Sequence, residues 1–138
     1  MKGIRYFVVD TNTLISAFLL ATTSVPARAY YKAKNEGGIL ISDETFNEFS
    51  DVFIRSKFDR YLSLEKRTAI IENFKTITIS IEVTRTINAC RDAKDNKYLE
   101  LAASSEAACI ITGDKDLLVL NPFEGIPIIS SSVFLQMV

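Results

Sequence analysis

Short apolar runs separated by amphipathic stretches set the rhythm of this chain. Residues 4–9 are apolar apart from Arg5 and stop at Asp10-Thr11-Asn12-Thr13, predicting a buried strand that gives way to a turn. Leu14–Leu20 has no polar face and predicts the start of a buried helix. Pro26 suits the first turn of a second helix, through Ala27–Glu36, that stops at Gly37-Gly38. Ile39-Leu40-Ile41 predicts a short buried strand. Ser42 is placed to cap a helix over 43–55, with Phe46, Phe49 and Phe53 at helical spacing. Ser63 caps another that carries Leu64, Ile70, Ile71 and Phe74 inward. Thr76–Ile81 alternates strictly and predicts a half-exposed edge strand. Asp95–Ala107 predicts an Ala-rich helix, Ala108–Ile111 a buried strand, Lys115–Leu120 a short helical turn and Ile126–Ile129 a last strand. Strands alternating with helices predict an α/β fold with a parallel sheet covered on both faces. No repeat or linker divides the chain, so a single domain over 1–138 is expected.

Composition narrows the chemistry. There is no histidine among the 138 residues, which excludes Ser-His-Asp and Cys-His nucleophile systems, His-ligated zinc and histidine acid–base pairs. Carboxylates, hydroxyls and basic groups remain. Cys90 and Cys109 are far apart and form no ligand-type pair, giving the expectation of reduced, structural thiols in a cytoplasmic protein. No apolar run reaches membrane-span length, and Asp10 interrupts the N-terminal one, so neither a signal peptide nor a membrane is expected.

The acids stand where a parallel sheet presents its ligand site. Asp10 follows the first strand, Asp114 and Asp116 follow the strand at 108–111, Asp95 opens a helix and Glu48 lies on an early helix. Drawn together, they would repel one another unless a hard cation such as magnesium or manganese sat among them. Each has a plainer explanation: a helix cap for Asp10, the positive end of the helix dipole for Asp95 with Asp92 as the cap, a turn for Thr112-Gly113-Asp114-Lys115-Asp116, a solvated helix face for Glu48 with Glu44, Asp51 and Arg55. Asp92 competes with Asp95 for the third position. Net charge is −1, yet setting aside Asp10, Glu48, Asp95 and Asp114 leaves 13 acids against 16 bases. Residues 55–97 hold ten basic residues, Arg67 among them, and six acidic ones. A basic surround of an acidic centre suits a phosphodiester substrate.

Taken in order, VVDTNTLISA (8–17), the Glu48 helix after ISDETFNEF (41–49), CRDAKDNKYLELA (90–102) and IITGDKDLL (110–118) resemble the PIN-domain nucleases. The resemblance is strongest to the bacterial and archaeal VapC-like branch of toxin–antitoxin toxins. It implies a three-layer α/β/α fold with a five-stranded parallel sheet, and an acidic quartet of Asp10, Glu48, Asp95 and Asp114 around magnesium or manganese. Asp116 would be an auxiliary acid, with Asn12 and Thr112 orienting the ligands. Lys94, Lys97 and Lys115 are candidates for contacting substrate phosphate.

The activity expected is metal-dependent endoribonuclease action, with a metal-activated water attacking the RNA phosphodiester. An antitoxin protein and a homodimer complete the expected partners, with Phe53, Phe58, Tyr61 and Leu62 offered as an interface. Two alternatives stand beside it: a phosphatase-like hydrolase with Asp10 as nucleophile, which the Asn at position 12 disfavours, and a weakly catalytic RNA-binding scaffold.

Overall fold

Five short strands form one parallel sheet in the order β3-β2-β1-β4-β5 in the computed structural model, which describes residues 4–137. They are β1 (Arg5–Val9), β2 (Gly37–Ile41), β3 (Ile79–Ser80), β4 (Cys109–Ile111) and β5 (Ile128–Ile129). The helices are α1 (Thr11–Leu19), α2 (Val25–Glu36), α3 (Asp43–Phe53), α4 (Leu64–Ile77), α5 (Asn96–Ser105), α6 (Lys115–Leu118) and α7 (Ser131–Gln136). Single 3-10 turns lie at Ser56–Phe58 and Ala93–Asp95.

The pleat sends alternate side chains to opposite faces and so builds two cores. Phe7, Val9, Ile39, Ile41, Cys109 and Ile111 share one cluster with residues of α1 to α4 and α7. Val8, Leu40, Ile110 and Ile128 share the other with Tyr98, Leu99, Leu101 and Ala102 of α5 and Leu117 of α6. Where both faces are covered, in the buried parts of β1, β2 and β4, the strands are apolar rather than alternating, whereas the edge strand β3 is exposed. This is the three-layer α/β/α arrangement. Gly37 is required where β2 enters: a Cβ there would lie 1.7 Å from the Arg5 carbonyl oxygen.

The elements depart from expectation in instructive places. The stretch 76–81 is not a six-residue strand; α4 runs through Ile77 and only Ile79–Ser80 pairs with β2. Ile77 follows Phe74 by three residues, while the Thr76 and Thr78 hydroxyls donate to the carbonyls of Asn73 and Phe74. The alternation there fits a strand, but backbone and hydroxyl bonds to the carbonyls of Asn73 and Phe74 carry the helix through Ile77, whose side chain stays exposed. The last strand is confined to 128–129, since Ile126 is held in a tight bridge with Phe123. Helix α7 was not anticipated; its six residues are too few to show a period, and only Phe134 is buried.

Arg67, counted above with the basic surround, is wholly buried on α4. Its guanidinium donates from Nε to the Leu62 carbonyl (2.8 Å) and from Nη1 to the carbonyls of Phe53 (2.6 Å) and Arg55 (3.1 Å), and it pairs with Asp59 through Nη2. Four of its five donors are thereby used, which is what permits the charge to be buried. The result is a fixed loop over 54–62. Phe53 also turns inward, stacking on Phe49 at 5.4 Å, whereas Tyr61 is exposed. Replacing Arg67 with Met should lower unfolding free energy by about 2–4 kcal/mol, because loop carbonyls lose their donors together. Equilibrium urea denaturation measures this, and a loss under about 0.5 kcal/mol would place the loop's stability elsewhere.

Candidate active site

The site is built where β1 and β4 run side by side. Val9 pairs with Ile111, so the residues that follow each strand emerge together at the carboxyl edge of the sheet. Asp10 caps α1, accepting at Oδ1 from the Thr13 amide (2.9 Å). Its Oδ2 accepts from the hydroxyl of buried Thr112, whose oxygen in turn accepts from the Asp114 amide (2.9 Å). Thr112 thus ties the two acids to each other. Asp114 caps α6 by accepting from the Asp116 amide (2.8 Å).

Glu48 arrives from α3 and is held on three sides. Its Oε1 accepts from the Thr11 hydroxyl (2.8 Å) and from the Tyr98 hydroxyl, and its Oε2 from Lys97 Nζ (2.9 Å). Asp95 ends the 3-10 turn before α5, and its Oδ2 is closed to solvent with no hydrogen-bond partner. Asp92 faces outward and caps that turn through the Lys94 amide (3.0 Å). Asn96, buried behind it, accepts from the amides of Ala89 (3.1 Å) and Cys90 (2.8 Å), tying the irregular 81–90 segment to α5.

Asp10, Asn12, Glu48, Asp95 and Asp114 line one cavity of about 180 Å³, with Arg55 and Lys57 also on its wall. Among the described residues, Asp95, Asp114 and Asp116 each offer an oxygen within 4.8 Å of the others, although Asp116 does not line that cavity. Asp116 also accepts from the exposed Arg91 (3.1 Å). The three lysines expected at phosphate are placed differently from one another. Lys97 is engaged with Glu48, Lys94 lines a neighbouring groove of about 700 Å³, and Lys115 is exposed on α6. Thr11 and Tyr98 were not among the site residues expected from sequence, and Arg55 and Lys57 entered only within the basic surround of residues 55–97. Tyr98 was detectable in principle, since it lies three residues beyond Asp95, in the helix that follows it.

Residues 6–116 match the family model described as the PIN domain. The chain belongs to the PIN-domain family. PIN domains are typically nucleases and generally use a divalent metal. The uncharacterized protein MJ1680 of Methanocaldococcus jannaschii is 34% identical over 116 residues, covering 83% of this chain and 74% of that protein. PAE2754 from Pyrobaculum aerophilum is similar in structure, with a TM-score of 0.61 at 15% identity over 96% of this chain and 88% of that one. VapBC2 from Rickettsia felis, bound to a DNA fragment from their promoter, gives a TM-score of 0.60 at 10% identity over 91% of this chain and 98% of that chain. At those identities the structural likeness concerns the fold.

The donor set of this PIN domain fits a hard divalent cation. It consists of carboxylate oxygens, one of them buried without a partner, and an unpartnered buried oxygen is costly unless something neutralises it. Cys90, the nearby soft donor, has its thiol pushed up to about 11 by burial and by the surrounding acids, so it stays protonated. Burial likewise raises Asp10 above the ordinary carboxylate range, against the hydrogen bonds from Thr112 and Thr13 that pull it down. Glu48 is opposed by burial, yet bonds from Tyr98, Lys97 and Thr11 outweigh it and lower its pKa. Asp95 moves the other way, up to about 7, through burial first and then the carboxylate of Asp114.

That contrast fixes the sign of a pH effect in metal-free protein. Between 3.8 and about 7, folded Asp95 keeps a proton that the unfolded chain has released, so its contribution falls as pH rises across that window. Asp95→Asn should therefore raise the metal-free melting temperature at pH 8 more than at pH 5. Magnesium should raise the wild-type melting temperature, by about 2.7 kcal/mol of stability at a hundredfold excess over its dissociation constant, and raise the variant's less. Scanning calorimetry at both pH values decides it. A variant that melts lower than wild type at pH 8, with no magnesium effect in either, would separate these acids electrostatically.

Proposed function

We propose that this protein is a metal-dependent endoribonuclease acting as the toxin of a toxin–antitoxin pair, with one domain spanning the chain. The observation that carries the reading is the buried, unpartnered Oδ2 of Asp95, which with Asp114 lines a cavity shared with Asp10 and Glu48 and has Asp116 close by. Asp95 and Asp114 would hold magnesium or manganese, with Asp10 and Asp116 beside them. When bound, such an ion acidifies water and offsets charge on a phosphodiester. The chain's own residues do the rest. Asp10 is held in orientation at the cavity by Thr13 and Thr112, and Thr112 ties Asp10 to Asp114. Glu48, held by Thr11, Tyr98 and Lys97, is fixed in orientation before substrate arrives, so little reorganisation is needed on binding.

The phosphatase-like alternative requires Asp10 as a free nucleophile. Its oxygens each accept a hydrogen bond and the residue is only 4% exposed, which disfavours attack. An antitoxin partner draws support from the likeness to VapBC2, and a homodimer from exposed apolar residues such as Tyr61, Leu20 and Ile54. A strict monomer in light scattering at micromolar concentration would remove the dimer. Among the described residues no helix is long and apolar enough to cross a membrane.

Incubating the purified protein with structured RNA and with a small phosphate ester, with and without chelator, tests the activity. RNA cleavage abolished by chelator is expected. Ester hydrolysis alone would favour the phosphatase, and neither activity the scaffold. Asp10→Asn and Asp95→Asn should reduce cleavage beyond detection while retaining the fold. Glu48→Gln should cost less, about 10- to 100-fold, as a residue that acts on the site through its hydrogen bonds. Wild-type rates in Asp95→Asn would take that residue out of the reaction.

A further inference from the structure

The loop over 54–62 brings cations to a cavity otherwise walled by acids. Arg55 and Lys57 both line it, alongside Asp10, Glu48, Asp95 and Asp114. Arg55 lies just beyond the end of α3, in extended backbone at the head of the 3-10 turn, and Lys57 lies within that turn. Among the described residues, neither cation has a carboxylate within ion-pair distance. Lys57 instead rests with Nζ 5.1 Å from the ring centroid of Phe58. The loop's one acid, Asp59, is committed to Arg67, so its outward charge is positive.

An exposed cation by itself signifies little, since most are simply solvated. Three features set these two apart. They face the same small cavity as the acid cluster. The backbone that carries them is fixed, because the buried Arg67 binds the carbonyls of Phe53, Arg55 and Leu62. And they lack the anionic partner that a cation beside four carboxylates would ordinarily acquire. A phosphate of a strand crossing the cavity supplies that partner.

We propose that the 54–62 loop grips the substrate strand, with Arg55 and Lys57 binding phosphates beside the scissile bond and buried Arg67 fixing their position. The assignment rests on the endoribonuclease reading. It replaces the basic groups expected from sequence: Lys97 is spent on Glu48, while Arg55 and Lys57 stand at the cavity itself.

The test titrates wild type, Arg55→Ala, Lys57→Ala and the double variant with a fluorescein-labelled, random-sequence single-stranded RNA in magnesium. Cleavage of the same RNA is followed separately. Each single change should weaken binding about two- to fivefold. The slope of log affinity against log salt should flatten by about 0.7 for each cation removed. The magnesium-induced rise in melting temperature should persist, showing the fold and the acid cluster intact. Arg60→Ala, on the same loop but off the cavity wall, should bind as wild type does. A double variant with wild-type affinity and salt slope overturns the proposal while leaving the nuclease reading standing, and so does an Arg60→Ala loss equal to that of Arg55→Ala. Wild-type protein that neither binds nor cleaves RNA overturns both.

Discussion

The parallel pairing of β1 with β4 is the constraint on which this molecule depends. In the order β3-β2-β1-β4-β5 the chain leaves β1 for β2 on one side and returns to β4 on the other, so the crevice between β1 and β4 is the topological switch point. Asp10 donates its amide to the Ile111 carbonyl (3.2 Å), extending the ladder one residue past the strands and fixing the spacing of Asp10 and Asp114. Two acidic residues are thus set on neighbouring strand ends by backbone hydrogen bonds. Everything around the crevice follows from managing those acids.

The chain handles its acids by two physical routes. Asp10 and Glu48 are satisfied internally: Thr13 and Thr112 hold the first, and Thr11, Tyr98 and Lys97 hold the second. Hydrogen bonding to the charged form offsets burial, fully for Glu48 and incompletely for Asp10. Asp95 receives no such help, and its proton is retained to about pH 7. A protein selected only for stability would pair that oxygen or replace it. Leaving it bare among oxygen donors is the arrangement that a resident cation reverses, since an ion's charge dominates the local electrostatics.

Much of the frame was legible in sequence because the buried strands and their terminal acids are local features. Residues 4–9 and 108–111 were placed to within a residue, the strand at 39–41 begins two residues earlier at Gly37, and Asp10, Asp95 and Asp114 lie at the ends predicted for them. What escaped was tertiary. The 76–81 stretch alternates as a strand would, yet its first half is hydrogen-bonded back into α4. Helix α7 is too short for periodicity to register. Tyr98 looks like any apolar helix position, and only the fold shows its hydroxyl against Glu48. Arg67 illustrates the limit best, since a basic residue on an amphipathic helix carries no local sign that it will be buried.

The buried arginine also links stability to substrate handling. A guanidinium is costly to desolvate, and its attraction to Asp59, whose side chain is 59% exposed, is partly screened. Ion pairing alone therefore does not account for Arg67; its fork reaching three loop carbonyls does. A hydrophobic residue there would fill the space but leave the carbonyls of Phe53, Arg55 and Leu62 to find water, and the loop with them would lose its fixed course. The sheet edge sets the acids through backbone pairing, and the 54–62 loop is set through one side chain. Both bring charge to a fixed place before any ligand arrives, which is the condition under which electrostatics discriminates a transition state rather than merely attracting a polyanion.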